Sequence, residues 1–211
     1  MLKKLTQEQL DQILEIATEE FSAKGPEKAT IMGIARKSGV SVGVIYKYYA
    51  DKEALFQACL TRSLGMLKDC LNQATSRHES LEAVAEELIR IAQSFAKEHP
   101  AHIRMYHAIT MDAEGGRVEE YARAIESVTA QLYTECFSKA KEEGSIRKDA
   151  EPAAFAFFFD NLLMMLHFSY SCEYYRERLR IFCGDSEDRD EKLVQQMLLF
   201  LKAGFMLRDT Q

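Results

Sequence analysis

Two helix-length stretches, Ile31–Lys37 and Val42–Tyr48, are separated only by Ser38-Gly39-Val40-Ser41. A link this short makes the two helices meet at an angle. Gly39 supplies a positive φ, where a side chain would clash. Val40 fills the angle between the helices. Thr30 stands at the N-cap of the first, and Ser41 caps the second, leaving its amide N–H groups pointing outward as a seat for a phosphate. Ile34, Ala35 and Ile45 form a small internal core, with Ala35 allowing close approach. This layout places a second helix in the major groove of DNA.

The rest of the chain also reads as helix, which gives an all-α fold class. Leu10, Ile13, Leu14, Ala17 and Phe21 recur at helical spacing, and Thr6 with Gln9 fits a capping box. Gly25-Pro26 is expected to end that first helix. A helix opens at Asp51 and runs through Leu71. Others are expected over about Ser80–Lys97, up to Met111, over Val118–Glu143, from Glu151 past Tyr170 toward Phe182, and over Ser186–Leu207. The chain is expected to divide into a three-helix head over residues 1–52 and a larger helical body over residues 53–211.

Charge and composition exclude several classes. The net charge of −6 argues against indiscriminate coating of nucleic acid. Residues 1–52 carry eight Lys/Arg against seven Asp/Glu, whereas residues 53–211 carry nineteen against twenty-six. The head is thus the less acidic part, which permits DNA contact without proving it. Five cysteines without a C-x-x-C pair, and an N-terminus without an apolar signal core, point to a reducing cytoplasm. In Ala153–Tyr170, fourteen of eighteen residues are apolar. Asp160 and Asn161 sit near its middle, so it reads as a buried core or interface helix rather than a membrane span.

The pattern Phe21…Gly25…Thr30…Ile34-Ala35…Gly39-Val40-Ser41-x-Gly43-x-Ile45-Tyr46-x-Tyr48-Tyr49-x-x-Lys52-x-x-Leu55 closely resembles the N-terminal domain of TetR/AcrR-family transcriptional regulators. The resemblance covers about residues 6–58. It implies that Thr30 and Ser41 bond phosphates or cap the helices that do. It implies that Val42, Gly43, Val44, Lys47 and Tyr48 face the groove, and that Tyr46 and Lys52 hold the DNA backbone. Phe21, Ile34, Ala35, Ile45, Tyr49 and Leu55 would be core. Met32 and Gly33 depart from the pattern at positions that are often polar, and Gly33 weakens a short helix by about 1 kcal/mol. The recognition surface offers no bidentate Arg, Asn or Gln, so valine contact with thymine methyls and DNA shape would carry specificity.

The resemblance further implies a homodimer on a palindromic double-stranded DNA operator, most simply a repressor, released by a small, largely apolar effector. The dimer face is expected on Ala154, Phe158, Leu162, Met165 and Ser169 of one helix and Leu193, Met197, Leu201 and Gly204 of another. Phe95, Tyr106, His107, Tyr121, Asn161 and Phe168 are the candidate effector contacts. No catalytic triad, phosphate loop or H-E-x-x-H is present, so neither an enzyme nor a metal site nor a cofactor is expected. A helical-bundle enzyme or metal protein, and a DNA-binding protein with no effector, remain the alternatives.

Overall fold

Thr6 opens α1 (Gln7–Lys28) with a full capping box: its hydroxyl accepts from Gln9 N, and Gln9 Oε1 accepts from Thr6 N. The computed structural model describes residues 4–77, 80–112 and 118–205. Gly25 takes φ 76°, so α1 is sharply kinked there and Pro26 begins a last short turn rather than a loop. Two seven-residue helices follow, α2 (Ile31–Lys37) and α3 (Val42–Tyr48), and then α4 (Lys52–Arg77), α5 (Leu81–Glu98), α6 (Pro100–Asp112) and α7 (Val118–Glu142). The apolar stretch after Glu151 is two helices, α8 (Pro152–Ser171) and α9 (Glu173–Cys183), because Cys172 is extended at φ −106° and ψ 132°. The last helix of the described residues is α10 (Arg189–Phe205).

The chain divides into two compact units, residues 1–66 with 101–112, and residues 67–100 with 113–211. This differs from the boundary expected after residue 52. Leu55, Phe56, Cys59 and Leu60 of α4 are buried, and Phe56 meets Phe21 of α1 edge-on at 5.1 Å, so the first turns of α4 complete the core of the first unit. Ile13, Ala17, Ile34, Ala35 and Ile45 fill the remainder of that core.

The second unit is built on aromatic packing. Phe137 of α7 lies edge-on to Phe155, Phe159 and Phe205, and Tyr133 lies edge-on to Phe159 at 5.2 Å. One polar knot ties α5, α8 and α10. Gln93 donates to Tyr170 Oη and to Asp190 O, and Tyr170 donates to Asp190 Oδ1 at 2.6 Å. By length and composition alone α8 could cross a membrane. Its Ala156, Phe159, Leu163 and Leu166 are part of the core.

Candidate nucleic-acid interface

The turn between α2 and α3 is set by backbone geometry. Gly39 has φ 67°, Gly39 N donates to Arg36 O, and Val40 N donates to Ala35 O at 3.0 Å. The chain thereby leaves α2 through a left-handed residue, satisfies its last carbonyls and enters α3 at once. Val40 is half-buried. On α3, Ile45 points into the core, Val42, Val44 and Tyr48 are half-buried, and Gly43, Tyr46 and Lys47 are exposed. The outer face of α3 is therefore small at its N-terminal end, with a tyrosine and a lysine further along.

Most of the proposed contact residues thus lie together on α3 or at its ends, with specific local roles. Thr30 caps α2 by accepting from Gly33 N at 3.1 Å. Ser41 occupies the N-cap of α3 but, among the described residues, makes no side-chain cap bond, contrary to the cap expected of it. Its position leaves the hydroxyl exposed. Tyr48 Oη accepts from Leu5 N at 2.7 Å, pinning the segment before α1, and the Lys47 ammonium stands 5.7 Å from the Tyr48 ring. Lys52 donates to Glu27 O at 2.8 Å and so fastens the start of α4 to the kinked end of α1. An ammonium has three donors, so that bond leaves others for a phosphate.

Glu20, which sequence reasoning passed over, is fully buried. It pairs with Lys24 on its own helix and, at 2.7 Å, with Lys37 of α2. Hydrogen bonds from Lys24 and Lys37 hold its carboxyl below the usual range despite burial. A Cβ on Gly33 would stand 3.1 Å from Glu20 Oε1 and 3.1 Å from Thr30 Oγ1. The glycine that looked like a defect in α2 is what lets that helix lie against a buried carboxylate. The usable sequence signal was the pairing of two oddities, an acid at 20 on the apolar face and a glycine at 33.

The other expectations fall in different places. Tyr106 and His107 belong to the first unit, whereas Phe95, Tyr121, Asn161 and Phe168 belong to the second. Phe168 is buried against Tyr175, Phe95 stacks at 4.9 Å from His99, and Asn161 Nδ2 donates to Phe157 O at 2.7 Å. An apolar cavity of about 20 Å³ in the second unit is lined by Val84, Leu88, Tyr133, Phe137 and Phe159 among others, and by none of those six. It is too small for an effector. On α8, Asp160 is raised to about 6 by burial and by the charge of Glu126, with Thr129 opposing, and burial lowers His167 to about 4. Among the described residues there is no group of three or more His, Cys, Asp or Glu placed to hold a metal.

Of the expected dimer face, Phe158 is exposed, and Ala154, Leu162, Met165, Leu193, Met197 and Gly204 are half-buried. Leu201 must be removed from that set, as it is 2% exposed and packs into the core of its own chain. Ser169 is likewise buried and bonds to Met165 O. The outward face of α10 is turned by a fraction of a turn from the expected one: Leu199 and Phe200 face outward at about 60% exposure, while Leu198 and Leu201 face in.

Two short helices joined through a left-handed glycine, the second with an exposed outer face, define a helix-turn-helix protein. Residues 13–59 match the family model described as bacterial regulatory proteins, tetR family. Over those residues the chain carries a TetR-type N-terminal domain. Over 131 residues it is 28% identical to the nucleoid occlusion factor SlmA of Glaesserella parasuis serovar 5 (strain SH0165), an alignment covering 60% of this chain and 65% of that one. The matched part is thus under two thirds of that relative's length. Among solved structures, the ketosteroid transcriptional regulator KstR2 of Mycobacterium tuberculosis superposes with a TM-score of 0.69 at 16% identity, covering 97% of this chain and 98% of the other. AibR, solved in complex with isovaleryl coenzyme A and operator DNA, superposes at 0.68 with 18% identity, covering 91% and 97%. At those identities the likeness is one of fold, and it extends through both units.

Proposed function

We propose that the protein is a cytoplasmic DNA-binding transcriptional repressor that sits as a homodimer on a two-fold-symmetric operator and is released by a small effector. The observation that carries this reading is the outer face of α3, where Gly43, Tyr46 and Lys47 are exposed above a buried Ile45. Gly43 and the two valines admit close approach to base edges and thymine methyls. Tyr46, Lys47 and the spare donors of Lys52 serve phosphates. One such helix makes few contacts, and a symmetric pair doubles them. Exposed Phe157, Phe158, Leu199 and Phe200 on α8 and α10 offer the apolar surface for that pairing.

Incubating the protein with sheared genomic DNA, then sequencing what it retains, tests the reading. The retained fragments should share a palindromic sequence. Retention without any common sequence would defeat it.

The effector part rests on the fold shared with AibR and on polar groups within apolar α8. An effector that favours the wrong spacing of two heads needs a coupling of about 1–3 kcal/mol. Binding should raise the melting temperature and lower DNA affinity together, and Asn161→Leu should remove both responses while leaving free-protein DNA binding unchanged. A broad thermal-shift screen without a single responding compound would favour the effector-free alternative.

A further inference from the structure

The helix α6 has a particular place in the chain. It belongs to the first unit, yet the segments before and after it, residues 67–100 and 113–211, belong to the second. Ala101, Ile103, Met105 and Ile109 are buried along α6, and so is His102, at 3% exposure.

His102 meets two other helices. Its Nδ1 is 2.7 Å from Ser63 Oγ of α4, and its Nε2 is 3.3 Å from both carboxylate oxygens of Glu15 of α1. Arg62 Nη1 donates to the same carboxylate at 2.7 Å. The Ser63 hydroxyl donates to Cys59 O at 2.9 Å.

These bonds fix where protons can be. A hydroxyl has one proton. While Ser63 gives it to Cys59 O, Nδ1 must donate to Oγ. The nitrogen facing Glu15 must carry a proton too, or two acceptors would oppose each other. Both nitrogens donate only in the imidazolium. A neutral ring fits if Ser63 turns its proton from Cys59 O to Nδ1, and the contact with Glu15 then loses its charge.

We propose that protonation of His102 fastens α6 to α1 and α4, making the seating of this helix, and through it the helix-turn-helix unit, sensitive to pH. Among the described residues, Glu15 from α1 meets the ring and favours the imidazolium, and Arg62 from α4, bound to the same carboxylate, opposes it. The nearby Cys59 thiol, pushed up to about 12 by burial, stays neutral. Burial works to raise Glu15, but the charge and hydrogen bond of His102 and those of Arg62 outweigh it and hold Glu15 below the usual carboxylate range. The Glu15 carboxylate is thus the charged partner of the imidazolium, and the ion pair is present while the ring is protonated and is lost, as pH rises, when the ring gives up its proton.

The test is amide hydrogen exchange of residues 103–110 at pH 6 and pH 8, with nitrogen NMR of the His102 ring, in the full chain and in His102→Gln and Glu15→Gln. Glu15 is only partly buried, so its variant keeps the fold. Protection factors in the unsubstituted protein should be about threefold or more higher at pH 6 than at pH 8. Both variants should show nearly equal protection at the two pH values. Equal protection in the unsubstituted protein, or a ring that remains neutral at pH 6, overturns the proposal. Its consequence for DNA rests on the function proposed above: affinity at fixed salt should follow the same pH dependence. If no variant bound DNA at any pH while the protection difference persisted, the DNA-binding reading would fail and the fastening of α6 would stand.

Discussion

In the first unit, Glu20 and His102 are buried with partners on neighbouring helices: Lys37 of α2 for the first, Ser63 of α4 and Glu15 of α1 for the second. In the second unit the interior is a set of rings, Tyr133, Phe137, Phe155, Phe159 and Phe205, in mostly edge-on contact. The contrast follows from what each has to do. A helix of seven residues such as α2 buries too little apolar area to fix its own angle, so the Glu20–Lys37 pair supplements its packing. Helices of seventeen to twenty-five residues such as α10, α8 and α7 can be held by area alone. Buried charge supplements an apolar core in the first unit, and aromatic burial dominates the second, where the Gln93–Tyr170–Asp190 bonds add a polar tie.

The largest test of this contrast is Phe137→Ala. Removing a buried ring that touches three others should cost about 3–5 kcal/mol, read from urea unfolding. A cost below 1 kcal/mol would mean that the second unit does not depend on its aromatic interior. Phe158→Asp and Leu201→Asp separate surface from core within the same unit. The first should give monomers of nearly unchanged melting temperature by light scattering and calorimetry, whereas the second should lower stability by several kcal/mol through an unpaired buried charge.

Asp160 provides a pH test. Its folded pKa of about 6 lies above the unfolded value of 3.8, so the folded state binds its proton more tightly. Stability from the protonated form is present at low pH and declines as pH rises through 4 to 6. Asp160→Asn should therefore stabilise the protein by about 1–3 kcal/mol more at pH 8 than at pH 4. Identical melting curves at the two pH values, after correction for the other groups, would place the carboxyl in water.

Two smaller effects address the first unit. Glu20→Gln should cost about 1–2 kcal/mol, because Lys24 and Lys37 lose their partner but are half-exposed and can be hydrated. It should also weaken DNA binding beyond what that destabilisation explains, since α2 loses its orienting bond. Gly33→Ala should change stability by less than about 0.5 kcal/mol, as the helix-propensity gain of about 1 kcal/mol is offset by crowding at Glu20 and Thr30. A full gain would show that the Glu20 carboxylate shifts freely.

The legibility of the two units differed in the same way as their physics. Thr6, Thr30 and Gly39 act locally, over three or four residues, so their roles as caps and turn could be read directly. The same locality exposed the helix-turn-helix core of Phe21, Ile34, Ala35 and Ile45. In α10 the hydrophobic period allowed two phases, and only packing showed that Leu198 and Leu201 turn inward while Leu199 and Phe200 turn out.

The sequence by itself determined that this chain is helical, where most of its helices begin, and that a glycine turn joins two short ones near the N-terminus, because those properties depend on backbone conformation and neighbours a few residues away. It also placed Cys59, Ser63 and His102 without revealing any relation among them. Tertiary structure alone decided that α6 joins the first unit, that the start of α4 completes the core of that unit, and that Glu20 finds Lys37 while His102 finds Glu15 across separations of seventeen and eighty-seven residues. Such pairings depend on how helices pack, and an ion pair leaves no periodic trace in the chain that could announce it.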